Sequence, residues 1–595
     1  MLHEIRIMRF RDTIICSVCI VLAGCLLVIA GMRLDYINSE RQQMKLISNE
    51  PLENAPPSLA FATVAMGAFR GLVVDVLWLR ADRLKEQGQF FDAKQLAEWI
   101  TTLQPRFASV WEFQAWNMAY NISVSLPSDQ PQERWRWVKN GYELLRDQGI
   151  PLNPRSISLY RELGRIFQHK IGAVSDDAHK YYKLQLATAM EPLLGPADNA
   201  YFESLAAAPT EWQQIINDAD TARLITALKS ADKAFADDDE FVSSYLSLRQ
   251  NPRRFDAAAF QVIDSFRATK ALDKFDIFAK AYYLRNVWKL DPVLMNELNH
   301  TYGPVDGPDP NVHLPLDWRH PDTHAIYWAV KGLKTAGKED YSVEETNTDR
   351  IVSHSLQNLF RYGKIFLYDV PADESAAGDP NQSQTPTREI FLRSDLRMFE
   401  PYNRSQSAII EKYKKLKENS YEALQNGHKN MLKNAAFSFY QAGHTEQAQR
   451  VYEQLRELYP QDEFKVPLVI FVRNRLREEL TNITITNARE IIQMMLREGY
   501  FRYAVRDDDE AYGREKMARE VYDHYQSAYR DEDRIDLPDF KLLRYFALLD
   551  FLNDSQYPVN LRRNLLSRIK VEMPQLFSQL QQQEAEMLKG SQQSQ

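Results

Sequence analysis

Two histidines four residues apart on one helical face, joined by a third ligand, can hold a metal ion. The chain has one such grouping: Asp317, Arg319, His320, Pro321, Asp322 and His324 fall within eight residues, with His313 upstream. Pro321 suits the first turn of a helix, which leaves His320 ahead of it, so the two imidazoles need not converge. Asp317 with Arg319 or Asp322 therefore reads as a braced turn, and the histidines as capping or packed groups. An enzyme or metal-binding site around His313, His320 and His324 is the alternative. The acidic triplets Asp237–Asp239 and Asp507–Asp509 lack the alternating spacing of a calcium loop and read as solvated charge at helix ends. The sequence contains no G-x-S-x-G, phosphate-binding P-loop, dinucleotide fingerprint or H-E-x-x-H. A binding protein is expected rather than an enzyme, with no catalytic residue, no cofactor, no metal and no evident small-molecule substrate.

All three cysteines, Cys16, Cys19 and Cys25, lie in one apolar run, so disulfides, thiolate metal sites and thiol nucleophiles are excluded from the remainder of the chain. That run, Thr13–Met32, is twenty residues without a charge, the length a helix needs to cross a bilayer. Basic residues tie across it, with Arg6, Arg9 and Arg11 before and Arg33, Arg41 and Lys45 after. The three arginines crowded ahead of a first apolar helix favour a cytoplasmic N-terminus, which places the large domain outside the cytoplasm. Leu22-Ala23-Gly24-Cys25 is similar to the lipobox of bacterial lipoproteins, which implies acylation at Cys25, although the apolar run continues beyond that cysteine. Val28-Ile29-Ala30 also suits an ordinary signal cleavage site. Both processing readings stand beside an uncleaved single-pass anchor.

The chain of 595 residues has room for several domains or one long repeat array. Only 21 glycines disfavour turn-dense sandwiches and glycine-rich nucleotide loops, so helix is the default. A net charge of −8 lacks the basic footprint of a nucleic-acid binder, and no nucleic-acid partner is expected.

The elements that would position any site read as helix pairs. From Val74 to Phe107, Leu77, Ala81, Leu84, Gly88, Ala93, Ala97, Ile100 and Pro105 recur at helix–turn–helix spacing; small residues permit a close crossing, Gly88 opens the turn and Pro105 stops the second helix. From Lys429 to Pro460, Leu432, Ala436, Phe439, Gly443, Ala448, Tyr452, Leu455 and Pro460 repeat that spacing. Both segments resemble the tetratricopeptide repeat. Degenerate copies follow Trp111 and Ala115 to Pro154, Leu159 and Gly164 to about Glu191, and Ile491–Phe501 with Lys516–Tyr525. The resemblance implies an all-α solenoid whose groove is lined by the first helix of each pair. At the family's groove offsets stand Asp75, Trp78, Asp82 and Lys85, then Glu112 and Trp116, then Asn430, Lys433, Phe437 and Tyr440. Aromatic and polar groups in that mixture suit an extended peptide or partner helix, so the implied function is a membrane-anchored scaffold or adaptor for a protein partner.

The expected order is a cytoplasmic N-terminus (1–12), a transmembrane helix (13–32), a linker (33–57), tetratricopeptide-like repeats (58–194), a divergent helical middle region (195–420), further repeats (421–580) and a disordered tail (581–595). Ser58–Arg80 is apolar, but Arg70 and Asp75 argue against a second pass. It reads instead as the first helices of the solenoid, with Gly67 and Gly71 at a close crossing and one face near the bilayer. In the middle region, Trp212–Lys233, Phe255–Leu290 and His324–Thr335 read as helices. Ile365–Val370 and Glu389–Leu392 read as antiparallel strands joined by a long mobile loop, a β-hairpin insertion over 365–392.

Overall fold

The computed structural model describes residues 70–595 except 197, 307–308, 310, 338–341, 371–386, 415–419, 443, 481–484, 529–536, 555–556, 579 and 583–595. It also describes 18, 19, 21–26, 28, 33, 36, 39 and 40. Most of the predicted span 13–32, the linker, the loop after Val370, Gly67, Gly443 and the C-terminal tail lie outside the described residues. The described residues are mostly helical, with one two-stranded sheet among them. The chain divides into two compact units, residues 1–182 with 328–351, and residues 183–327 with 352–595.

In the first unit, helix Arg70–Glu86 turns back into helix Phe90–Leu103. Gly88 adopts φ +75°, which a side chain resists, and the bond from Gln89 N–H to Leu84 C=O closes the turn over the last carbonyls. Ala81 and Ala93 are fully buried where the helices meet, and Val74, Leu77, Leu96, Ala97, Ile100, Leu103 and Val110 fill the space between them. The second pair joins a first helix running from Ala108 through a π-helical stretch to Ser125 with a second that opens at Pro131. Only residues 126–130 link them, because Pro131 and the residues after it enter the helix. Gly141 makes the crossing close: a Cβ there would stand 2.8 Å from the Ala115 carbonyl oxygen. A third first helix follows, Ile157–Arg165 continued by π-helical turns to Gly172. Gly71 lies at no close crossing; a Cβ at that position would stand 4.0 Å from its nearest neighbour, the Gln104 side chain.

The unit is braced inside by charge. Asp176 accepts from Arg134 Nη1 at 3.0 Å, from Lys170 Nζ and from the Tyr182 hydroxyl at 3.2 Å, all four side chains being buried. Burial alone would raise the Asp176 carboxyl, but the Lys170 bond, the Ala178 amide and the nearby cations hold it below its ordinary value.

In the second unit, the expected helix Trp212–Lys233 breaks into Trp212–Ile216 and Ala219–Ala231. Asp218 between them caps the latter by accepting from Thr221 N–H. Phe255–Leu290 likewise divides into Ala257–Phe266 and Lys270–Tyr283, the second continuing through π-helical turns to Trp288. Strand β1, Lys364–Val370, pairs antiparallel with β2, Thr387–Arg393, with Ile365 opposite Leu392. Ile365 and Ile390 share one buried cluster with Ala187. Farther on, helices Ser420–Gln441 and Thr445–Leu458 form a hairpin with Ala436 and Ala448 fully buried. Its second helix ends at Leu458, just before Pro460. Helices Ile485–Ala504 and Asp508–Ala528 form another hairpin, in which Arg506 takes φ +61° and Asp507 N–H reaches Arg502 C=O. That bond closes a tight turn between them.

Candidate binding face of the first helices

The first helices of the three N-terminal pairs carry a continuous strip of half-exposed aromatic and charged side chains. Trp78 packs edge-on against Phe113, centroids 5.2 Å apart, and lies 5.8 Å from Phe107. One turn on, Lys85 bonds to Asp82 at 2.6 Å and holds its ammonium 5.6 Å above the Phe113 ring. On the second helix Trp116 stacks on Tyr120 at 6.1 Å, and Glu112 stands 4.0 Å from Arg161 of the third. Tyr120 in turn lies 5.8 Å from the His169 ring, under the Arg165 guanidinium at 5.3 Å. Asp75 is exposed at the margin. Residues three and four apart share one helical face, so these positions form a row on each helix.

The structure thus brings Asp75, Trp78, Asp82, Lys85, Glu112 and Trp116 into one strip within the first unit. Sequence reasoning missed Phe113, Tyr120, Arg161, Arg165 and His169. The signal existed: the third pair was legible as a degenerate copy, and its first helix supplies the row Arg161, Arg165, His169. Beneath that row, burial raises Glu162 to about 7 against the pull of Arg165, with Glu112 raising it further. His169 is lowered by partial burial and by Arg165 and Lys170 beside it.

The second predicted set has a different fate within its own unit. Asn430 is exposed. Lys433 reaches Glu463 at 3.3 Å and lies over Phe464. Phe437 is buried, with the Arg475 guanidinium 5.3 Å above its ring. Lys516 sits 3.5 Å over the Tyr440 ring and donates to the Tyr440 carbonyl. Three of these four side chains therefore meet later segments of the same chain, because the 3.6-residue period shows which face a residue occupies and not what lies opposite.

The histidine grouping is a buried polar brace. His313 Nδ1 is 2.7 Å from the Gly303 carbonyl and His324 Nε2 is 2.9 Å from that of Trp318. His320 Nδ1 accepts from the Asp322 amide, so its Nε2–H donates to the Tyr362 carbonyl and the ring is neutral. Asp317 grips Arg319 by two parallel bonds. Among the described residues no three His, Cys, Asp or Glu side chains are grouped to hold a metal. Nor do the acidic triplets form cation sites. Asp237 caps a helix by accepting from Asp239 N–H, while Asp507, Asp508 and Asp509 meet Arg502, Arg568 and His444. A cleft of about 820 Å³ in the second unit is lined by the paired forks Asp317–Arg319 and Asp395–Arg397.

Of the apolar N-terminal run, residues 18, 19, 21–26 and 28 are helical, and Cys19 and Cys25 are exposed. Among the described residues no helix is long and apolar enough to cross a membrane. No family model matches the chain, and no curated protein matches it.

Proposed function

We propose that this chain is a membrane-anchored, tetratricopeptide-like scaffold that holds an extended protein segment on the first-helix strip of its N-terminal pairs. The observation that carries the reading is the half-exposed aromatic row Trp78–Phe113 and Trp116–Tyr120, flanked by the carboxylates Asp75, Asp82 and Glu112 and the cations Lys85, Arg161 and Arg165. Aromatic anchors bury large area at little entropic cost, and flanking charges set direction and register. Residues 13–32 form the anchor in this reading. Val18, Val21, Leu22, Leu26 and Val28 within them are exposed, as side chains facing lipid would be. The arginines ahead of the span put the scaffold outside the cytoplasm. Tethering to a surface raises the local concentration for membrane-bound partners, so modest affinity at the strip suffices.

In-cell crosslinking and purification of the full chain tests this, comparing the parent with Trp78→Ala and Trp116→Ala. One abundant partner lost from both variants, with circular dichroism unchanged, is the expected result. A protein recovered alone, or a partner indifferent to both substitutions, refutes the strip as the binding face. In a lipoprotein version the Leu22-Ala23-Gly24-Cys25 pattern is processed and Cys25 acylated; the mass of the mature N-terminus separates the two.

A further inference from the structure

Helix Arg70–Glu86 is apolar on two sides. Val74, Leu77 and Ala81 face the core, while Leu72, Val76 and Leu79, spaced four and three apart, are exposed at 60%, 59% and 69%. The three side chains form a row over two turns, away from the row that carries Trp78 and Lys85. The outer face of this first described helix carries the leucine and valine row with exposed Asp75 and Glu86 beside it, and among the described residues nothing packs on the row. Arg83 continues the row one turn beyond Leu79 and Arg80 stands at its edge. Both arginines are exposed, and neither has an ion pair among the described residues.

We infer that this face is a membrane-surface contact: Leu72, Val76 and Leu79 enter the headgroup boundary of an anionic bilayer, and Arg80 and Arg83 engage its phosphates. An apolar row ending in two exposed arginines matches the chemistry of such a surface, with acyl chain below and negative headgroup at its rim. It does not match a protein partner that would need polar register marks along the row. Continuity along the chain adds to the argument, because the uncharged run Thr13–Met32 lies fewer than forty residues before Arg70, and its described apolar side chains are exposed as well. The face rests on the anchored reading above but not on the strip, which belongs to another side of the helix. Lying on the bilayer along this row, the first pair would hold the strip off to one side, at a defined height for partners on the same membrane.

The test uses the full chain with Cys16, Cys19 and Cys25 replaced by alanine, reconstituted in vesicles of phosphatidylethanolamine and phosphatidylglycerol. A bimane label is placed through Leu79→Cys or, as reference, through Val174→Cys at a residue 80% exposed in the same unit. The expected result is quenching of at least about twofold by acyl-chain doxyl lipid at position 79 and none at 174, weakened by Arg80→Gln with Arg83→Gln and in phosphatidylcholine vesicles. Equal iodide quenching at both sites would overturn the inference and leave the anchor standing. A label at 79 shielded from iodide yet untouched by doxyl lipid would also overturn it, showing a cover made of protein. Quenching indifferent to lipid charge and to both arginines would overturn the headgroup assignment. Protein that fails to float with the vesicles would refute the anchor and the inference together.

Discussion

Replacing Asp322 by asparagine should make the protein more stable as pH rises. Both Asp322 and His320 are fully buried, and burial pushes them in opposite directions, the carboxyl up to about 7 from 3.8 and the imidazole down to about 4 from 6.5. Asn358 and Ser355 bond to the carboxyl and Lys183 attracts its charged form, but burial outweighs them. Between pH 3.8 and about 7 the folded chain keeps a proton on Asp322 that the unfolded chain has released. The stabilisation from the neutral acid is therefore complete at low pH and lost as pH climbs through that window, about 4 kcal/mol in all. His320 has the opposite slope. The unfolded chain binds a proton below pH 6.5 that the folded chain refuses until about pH 4, so its contribution, about 3 kcal/mol, is present at neutral pH and lost on acidification.

Across the shared window the two slopes nearly cancel in the parent. Asparagine is close in shape to the protonated acid and removes one slope only. Denaturant unfolding of parent and Asp322→Asn, followed by circular dichroism from pH 4 to pH 7, should show the stability difference growing with pH in favour of the variant by about 4 kcal/mol. A difference that shrinks with rising pH would refute the reasoning, because it would mean that Asp322 is ionised in the fold and held by Lys183 or by a charged His320.

Gly141→Ala should cost about 1–3 kcal/mol, read as a lower thermal midpoint, since its Cβ would press on the Ala115 carbonyl at 2.8 Å and on Ala119 at 3.1 Å. Asp176→Ala strands the buried cations Lys170 and Arg134 and should cost about 3–5 kcal/mol; adding Lys170→Met should recover much of the loss, and no recovery would argue against a charge effect. Phe437→Ala should lower stability by about 3–5 kcal/mol, because the ring is buried under Arg475, whereas Trp116→Ala at the half-exposed strip should change it far less; equal losses would refute the distinction.

Much of the local architecture was legible because its causes are local. Ala81, Gly88 and Ala93 mark a tight helix hairpin through side-chain size and through a backbone angle that suits glycine, and those facts need no distant partner. The strands at 364–370 and 387–393 were legible for the same reason, as short β-prone runs flanking a turn-rich stretch. Helix breaks at Asn217–Asp218 and after Phe266 were missed because apolar periodicity runs across them; at the first, a capping aspartate sets where the next helix begins.

The site divides along the same line. The resemblance to the repeat family singled out Asp75, Trp78, Asp82 and Lys85, and Glu112 and Trp116, and helical spacing puts each set on one face of its helix, since periodicity is a property of the backbone. Which of the predicted faces stay open was decided in three dimensions. Arg475 and Lys516 come from tens of residues away to cover Phe437 and Tyr440, while Arg161, Arg165 and His169 arrive beside Trp116 and Tyr120 to complete the strip. The histidine grouping shows the same limit: its spacing allowed a metal, and the carbonyls of Gly303, Trp318 and Tyr362 engage the three rings instead. Spacing along a chain fixes direction; only the packed fold supplies the neighbour, and the neighbour determines whether a polar side chain binds, braces or is buried.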